Sequence, residues 1–156
     1  MKTKIFVTTG SVLEFDELIK QLDKINLNKQ YNITAQIGKG KYIPKHLNYF
    51  KYSKDLNKYF DWADIVITHT GAGTLFELLE KNKKIICISN PKATDNHELA
   101  EKFAKEKHLI FLKGKDISTL EKSIQSTIIN KEIKKYKPIK STIGKEILKY
   151  ITRGIL

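Results

Sequence analysis

The sequence predicts an α/β fold built on a doubly wound, six-stranded parallel sheet with strand order 3-2-1-4-5-6. Three observations carry that expectation. Short uncharged apolar runs alternate with segments of helical period along the chain. Strands without a polar face belong in a parallel sheet covered on both sides. Right-handed crossovers then lead strands one to three outward in one direction and four to six in the other. The 156 residues suit a single domain, taken as 1–156.

Residues 5–9 (IFVTT) form the first strand, and the spacing of Phe15, Leu18, Ile19, Leu22 and Ile25 predicts a helix after it. Residues 33–37 are the second strand, ending in a loop over 38–42 that carries Gly38 and Gly40. The third strand is 47–52, after which Ser53 is placed to cap a short helix reaching about Trp62. Residues 65–67 make the fourth strand, closed by 69–74 (HTGAGT) and a helix over 75–81. The fifth strand, 85–88, leads through a long loop to a helix from about Asp95 to Lys105, and 109–112 is the sixth. Leu120, Ile124 and Ile128 mark a further helix. After Pro138, Ile143, Ile147, Leu148 and Ile151 fall on one stripe of a basic amphipathic helix over 139–156, with Lys145, Lys149 and Arg153 elsewhere on the wheel. That helix either folds back on its own sheet or docks on a partner.

In such sheets a ligand binds outside the carboxyl ends of the strands, where the strand order reverses. That point lies between strands one and four, beside the loops 8–11 (TTGS) and 70–73 (TGAG). Both carry glycine and both are expected to open helices. Free backbone N–H groups and helix dipoles would converge there on a phosphate-like anion. Which phosphate ligand is narrowed by exclusion. The dinucleotide fingerprint is absent after strand one, and strand two ends in Gln36 rather than an acid. There is no Walker loop and no serine elbow. The four histidines, 46, 69, 97 and 108, lack metal-ligand spacing.

Composition sets further bounds. A single cysteine, Cys87, excludes an internal disulfide framework. No run approaches the ~18–20 apolar residues of a membrane span, and the start is too short in apolar residues for a signal peptide, so a cytosolic chain is expected. The net charge of +12 comes from 29 basic residues, of which one, Arg153, is arginine. Residues 131–156 hold eight basic groups against two acidic, a net of +6, which suits an anionic membrane surface or an acidic partner, or else a plainly lysine-rich surface. A nucleic-acid-binding protein is the competing class. The near-absence of arginine and of any recognised nucleic-acid motif argues against it.

The stretch 61–77 (DWADIVITHTGAGTLFE), followed by 95–98 (DNHE), resembles the donor-binding half of the family 28 glycosyltransferases, enzymes of the GT-B fold that take sugars from UDP-sugars. The resemblance runs from residue 7 to about Leu112, and the chain resembles the stand-alone catalytic subunits of two-part transferases, namely the dolichol-pathway GlcNAc transferase and the PssE-type subunits of polysaccharide assembly. It implies a Rossmann-like GT-B C-terminal half-domain and an inverting transferase that uses no metal and no cofactor. It also implies a polyprenyl-diphosphate-linked acceptor, a membrane-anchored acceptor-binding subunit, and a location at the cytoplasmic membrane face through that partner. A nucleotide-sugar epimerase of similar architecture would normally carry both halves.

By the same resemblance, Glu77 binds the ribose hydroxyls, and Gly71, Ala72 and Gly73, with Thr70 and Thr74 beside them, bring backbone amides to the diphosphate. Thr9, Gly10 and Ser11 face it from strand one, unless Ser11 only caps its helix. Tyr52 and Ser53 meet the uracil, with Tyr52 alternatively a core residue. His69 either donates to the phosphates or is structural. Asn96 and His97 hold the donor sugar, with Asn96 alternatively a helix cap. Lys39 and Lys41 are within conceivable reach of a phosphate. No catalytic base is identified, and the resemblance implies that the acceptor side supplies it.

Overall fold

A computed structural model of the chain describes residues 1–93, 97–129 and 133–138. The expected C-terminal helix over 139–156 and the candidate Asn96 lie outside the described residues. The order of elements is β1 (Lys4–Thr8), α1 (Asp16–Ile25), β2 (Asn32–Gln36), β3 (Asn48–Phe50), α2 (Asn57–Trp62), β4 (Ile65–Thr68), α3 (Ala72–Glu80), β5 (Lys84–Ile88), α4 (Glu98–Lys105), β6 (Ile110–Leu112), a 3-10 turn (Gly114–Thr119) and α5 (Leu120–Ile129). Every strand pairing is parallel, and the order is β3-β2-β1-β4-β5-β6, as the sequence predicts.

The apolar runs explain why the sheet is covered twice. Alternate side chains of a strand leave opposite faces, and here both faces are apolar. Ile5 and Val7 of β1, Ile65 and Ile67 of β4, and Ile86 and Ile88 of β5 join the core under α1 and α5, with Leu18, Leu22, Leu120 and Ile124. The intervening Phe6, Val66, Ile85 and Cys87 join the other core, under α2, α3 and α4, with Phe60, Leu75, Leu78 and Phe103. Phe6 anchors that side, its ring 5.0 Å from Tyr59 and 5.7 Å from Phe60. Cys87 is buried here, and burial pushes its thiol up to about 12, so it behaves as a small apolar residue.

One local expectation, the Ser53 cap, and one alternative reading, the Ser11 cap, fail. Ser53 does not cap α2. Its N–H donates to Gln36 Oε1 at 3.1 Å and its hydroxyl to the Asp55 carbonyl at 2.8 Å, while Asp55 Oδ1 accepts from the Asn57 N–H at the helix start. Nor does Ser11 cap α1, which begins at Asp16 with Phe15 at the cap position and no side-chain cap bond. A strongly amphipathic face, with Leu18, Ile19 and Leu22 buried, fixes that helix without a cap.

The loop between β2 and β3 is tied to α1 by Asp23, which is buried on the helix. Its carboxylate accepts from the Lys45 N–H at 2.9 Å, the His46 N–H at 2.6 Å and the Tyr42 hydroxyl at 2.7 Å. Burial alone would raise its pKa, but the bonds from Lys45, Tyr42 and His46 outweigh it and hold the carboxyl below the ordinary aspartate value. At the far end of the chain, Tyr136 packs edge-on against Phe103 and His108, and the Lys134 N–H donates to the Lys107 carbonyl.

Candidate functional site

All six strands run the same way, so the loops that follow them gather at one edge of the sheet. At the reversal of strand order, between β1 and β4, that edge opens into a cleft of about 550 Å³, within the size range of small-molecule sites. Its walls are Thr9, Gly10 and Ser11 after β1, then His69, Thr70, Gly71, Ala72, Gly73 and Thr74 after β4. Nine of the residues singled out in the sequence therefore meet in one place.

The two walls differ from the expected pair of helix starts. On the β4 side the chain enters α3 at once. Gly71 sits at the cap position in extended backbone with no side-chain cap, and no acidic residue lies in the first turn. The first N–H groups of a helix have no intrahelical partner, so Ala72, Gly73 and Thr74 present their amides at the positive end of the α3 dipole. On the β1 side, residues 9–15 intervene before α1 begins, so this wall is a loop and not a helix terminus. One helix end, not two, faces the cleft.

At two of these positions a side chain would collide with His69, and at Gly10 the backbone also favours glycine. Gly10 has φ +78°, and a Cβ there would fall 2.5 Å from His69 Nε2. A Cβ on Gly71 would fall 2.8 Å from His69 Cε1. The half-buried His69 ring is thus wedged between the two loops and sets how closely they approach. Gly38, at φ +54°, packs in turn on the Gly10 carbonyl, where a Cβ would lie 2.4 Å away. Gly73 is the opposite case: a Cβ there meets nothing within 4 Å, because that side of the helix start looks into the open cleft.

Below the cleft the strand ends are cross-linked by a buried polar network. Gln36 Nε2 donates to Thr8 Oγ1 at 3.2 Å, and Thr9 donates through both its N–H and its hydroxyl to the Gln36 carbonyl at 3.2 Å. With the Ser53 N–H on Gln36 Oε1, one side chain joins the ends of β1, β2 and β3.

The remaining candidates do not line the cleft. Glu77 is half-buried in the second turn of α3. Ser53 and Tyr52 follow β3, at the same sheet edge but with two strands between them and β4. Tyr52 is 62% exposed, which removes the reading of it as a core residue. His97 takes the cap position of α4. Its Nδ1 is buried with no hydrogen-bond partner among the described residues, and its ring lies 6.0 Å from Phe111. Lys39 and Lys41 are exposed on a loop braced by Asp16, which accepts from the Lys41 N–H at 2.9 Å, and neither lines the cleft. Lys51 Nζ donates to the Gly40 carbonyl from the other side of that loop.

Sequence reasoning missed Val12, Leu13, Asn90 and Ala93, which complete the cleft. For Asn90 the one local signal is the Asn-Pro dipeptide at 90–91, a turn marker that says nothing about a site. Among the described residues there is no cluster of three or more metal-ligating side chains, and no helix long and apolar enough to cross a membrane.

The family described as Glycosyltransferase family 28 C-terminal domain matches residues 4–151. The human UDP-N-acetylglucosamine transferase subunit ALG13 is 35% identical over 122 residues, which cover 69% of this chain and 11% of that protein. The chain thus spans about a tenth of that relative's own length. Among solved structures, Acinetobacter baumannii MurG superposes with a TM-score of 0.71 at 18% identity, over 98% of this chain and 50% of that one. The solution structure of ALG13 gives a TM-score of 0.55 at 17% identity, over 96% of this chain and 94% of that one. Both likenesses are of fold.

Proposed function

The chain belongs to the glycosyltransferase family 28 C-terminal domain family, and from that premise we propose that it is the donor-binding catalytic subunit of a two-part transferase. It carries a sugar, GlcNAc or another hexose, from a UDP-sugar to a polyprenyl-diphosphate-linked acceptor. The observation that carries the reading is the cleft at the β1–β4 reversal, where the amino end of α3 faces open space with Gly73 at its lip. A diphosphate fits there by charge and by room: amides and dipole are fixed in place, and no side chain blocks their approach.

Glu77 stands five residues beyond Ala72, about 7.5 Å along the α3 axis at 1.5 Å per residue, a reach that suits the step from diphosphate to ribose. A carboxylate accepting from two vicinal hydroxyls makes charge-assisted bonds. Tyr52 and Ser53, at the outer strand end, take the uracil. His97, with Asn96, takes the sugar hydroxyls, and the unsatisfied His97 Nδ1 supports a ligand contact there.

In the inverting reaction the acceptor hydroxyl oxygen bonds to the anomeric carbon as the bond from that carbon to the UDP oxygen breaks. Charge grows on the departing diphosphate, which is where the α3 terminus acts. The acceptor proton goes to a base that the acceptor-binding partner supplies. The word "subunit" in the name of the human relative supports such a partner. On this reading residues 1–156 act as one UDP-sugar-binding unit, held at the cytoplasmic membrane face through the partner and the basic tail.

Calorimetry with UDP and a panel of UDP-sugars tests the proposal. The chain binds UDP, and Glu77→Ala weakens it by ~1.5–3 kcal/mol, the range for loss of a hydrogen-bonded charged group. A chain that ignores UDP at millimolar concentration overturns the reading. A neutral Glu77→Ala removes the ribose assignment alone. Rapid sugar transfer by the purified chain without any partner would remove the two-part arrangement.

A further inference from the structure

The wall of the cleft formed by residues 9–15 has no helix start of its own to fix it, yet it stands opposite the amino end of α3. It is held from β5. Asn90, 4% exposed at the carboxyl end of that strand, donates from Nδ2 to the Glu14 carbonyl at 3.0 Å across 76 residues of sequence. Its Oδ1 accepts from the Lys92 N–H at 3.0 Å, and its own carbonyl accepts from the Ala93 N–H at 3.0 Å. One side chain therefore shapes its own loop and grips the loop across the cleft.

A second link joins the same loops: Lys92 Nζ lies 2.6 Å from Glu14 Oε1. Those side chains are 56% and 32% exposed, and exposed pairs contribute little. Losing the Asn90 amide is different, because a part-buried bond made by a buried side chain is removed and its partners are left unsatisfied. The loop so held presents Val12 and Leu13, 73% and 39% exposed, at the cleft wall. Of the bonds that Asn90 makes, none reaches Tyr52, Ser53 or Glu77.

We infer that Asn90 is a positioning residue for the cleft: it sets the distance between the 9–15 loop and the amino end of α3, and through it the affinity for the diphosphate part of a nucleotide. This rests on the reading of the cleft as a diphosphate site. The chemistry asks for asparagine, since one planar amide must donate to a carbonyl and accept from an N–H at once. Aspartate has the shape and the acceptor but lacks the donor, and it would set a carboxylate against the Glu14 carbonyl.

The test compares two probes, UDP and uridine, on the wild-type chain, Asn90→Asp and Asn90→Ala, by NMR titration of the backbone amides. UDP affinity falls about tenfold in both variants, as loss of one part-buried bond would give, while uridine affinity stays as in wild type. A wild-type chain that binds no UDP fails at the diphosphate reading itself. If wild type binds UDP and the variants match it, or lose UDP and uridine in equal proportion, Asn90 is only structural and this inference falls while the site reading stands. The same spectra report folding, and should Asn90→Ala unfold, the uncharged Asn90→Leu decides, since a carboxylate at this cleft-lining position would itself repel a diphosphate.

Discussion

Gly71 and Gly73 sit two residues apart and face opposite consequences. A methyl group on Gly71 meets the His69 ring, whereas one on Gly73 meets nothing in the protein. Gly73→Ala should therefore leave the fold intact, or stabilise it by about 0.5–1 kcal/mol, since alanine suits a helix better than glycine. It should nevertheless weaken UDP binding, because the new methyl points into the cleft. Thermal melting and calorimetry on the same sample separate the two effects. Unchanged UDP affinity would place the diphosphate elsewhere. Gly10→Ala inverts the pattern. Left-handed backbone costs a non-glycine residue roughly 1–2 kcal/mol, and the His69 clash adds to it, so stability falls first. His69→Ala in the same chain should recover the clash part but not the backbone part.

At the scale of elements, the Asp23 carboxylate fastens the β2–β3 loop to α1, and its depressed pKa makes the fastening pH-dependent. The ionised form is the one the fold prefers, so its contribution is complete above the unfolded aspartate value of 3.8 and is lost as pH falls through the lower folded value. Asp23→Asn turns an acceptor toward the Lys45 and His46 N–H groups into an amide that can satisfy only part of them. We expect a loss of about 3 kcal/mol at neutral pH, or roughly 6–12 °C in melting temperature for a domain of this size. Wild type and variant should converge under acid conditions, and a gap that persists at pH 2 would contradict the assignment. Elements of this kind also show what the sequence could disclose. The six strands, their order and the glycine loop at α3 were legible, because apolar period and handedness act locally or follow general rules. The caps at Ser11 and Ser53 were not, since Gln36 and Asp55 claim Ser53 through folded contacts and α1 is fixed by its buried face. Asn90 and Asp23 were invisible for the same reason: their partners lie 76 and 19–23 residues away, and no spacing records them.

Across the whole molecule, 28 lysines and one arginine give a surface of point charges without the planar forks that read phosphates and bases in two-point fashion. Attraction of that kind depends on proximity to an extended anionic surface and on ionic strength. Near a membrane each such charge contributes about 1 kcal/mol, and half of the net +12 lies in residues 131–156. The chain should therefore sediment with vesicles containing anionic lipid at about 0.05 M salt and be released at about 0.5 M, where the screening length is only a few ångströms. Neutral vesicles should not retain it. Removal of residues 139–156, which takes away four basic groups and one acidic, a net of +3, should weaken the vesicle binding and leave UDP affinity unchanged, because the cleft is built from elements that precede Pro138. Tight binding to random duplex DNA, with a steep salt slope and no response to UDP, would instead favour a nucleic-acid partner and count against the membrane-facing arrangement.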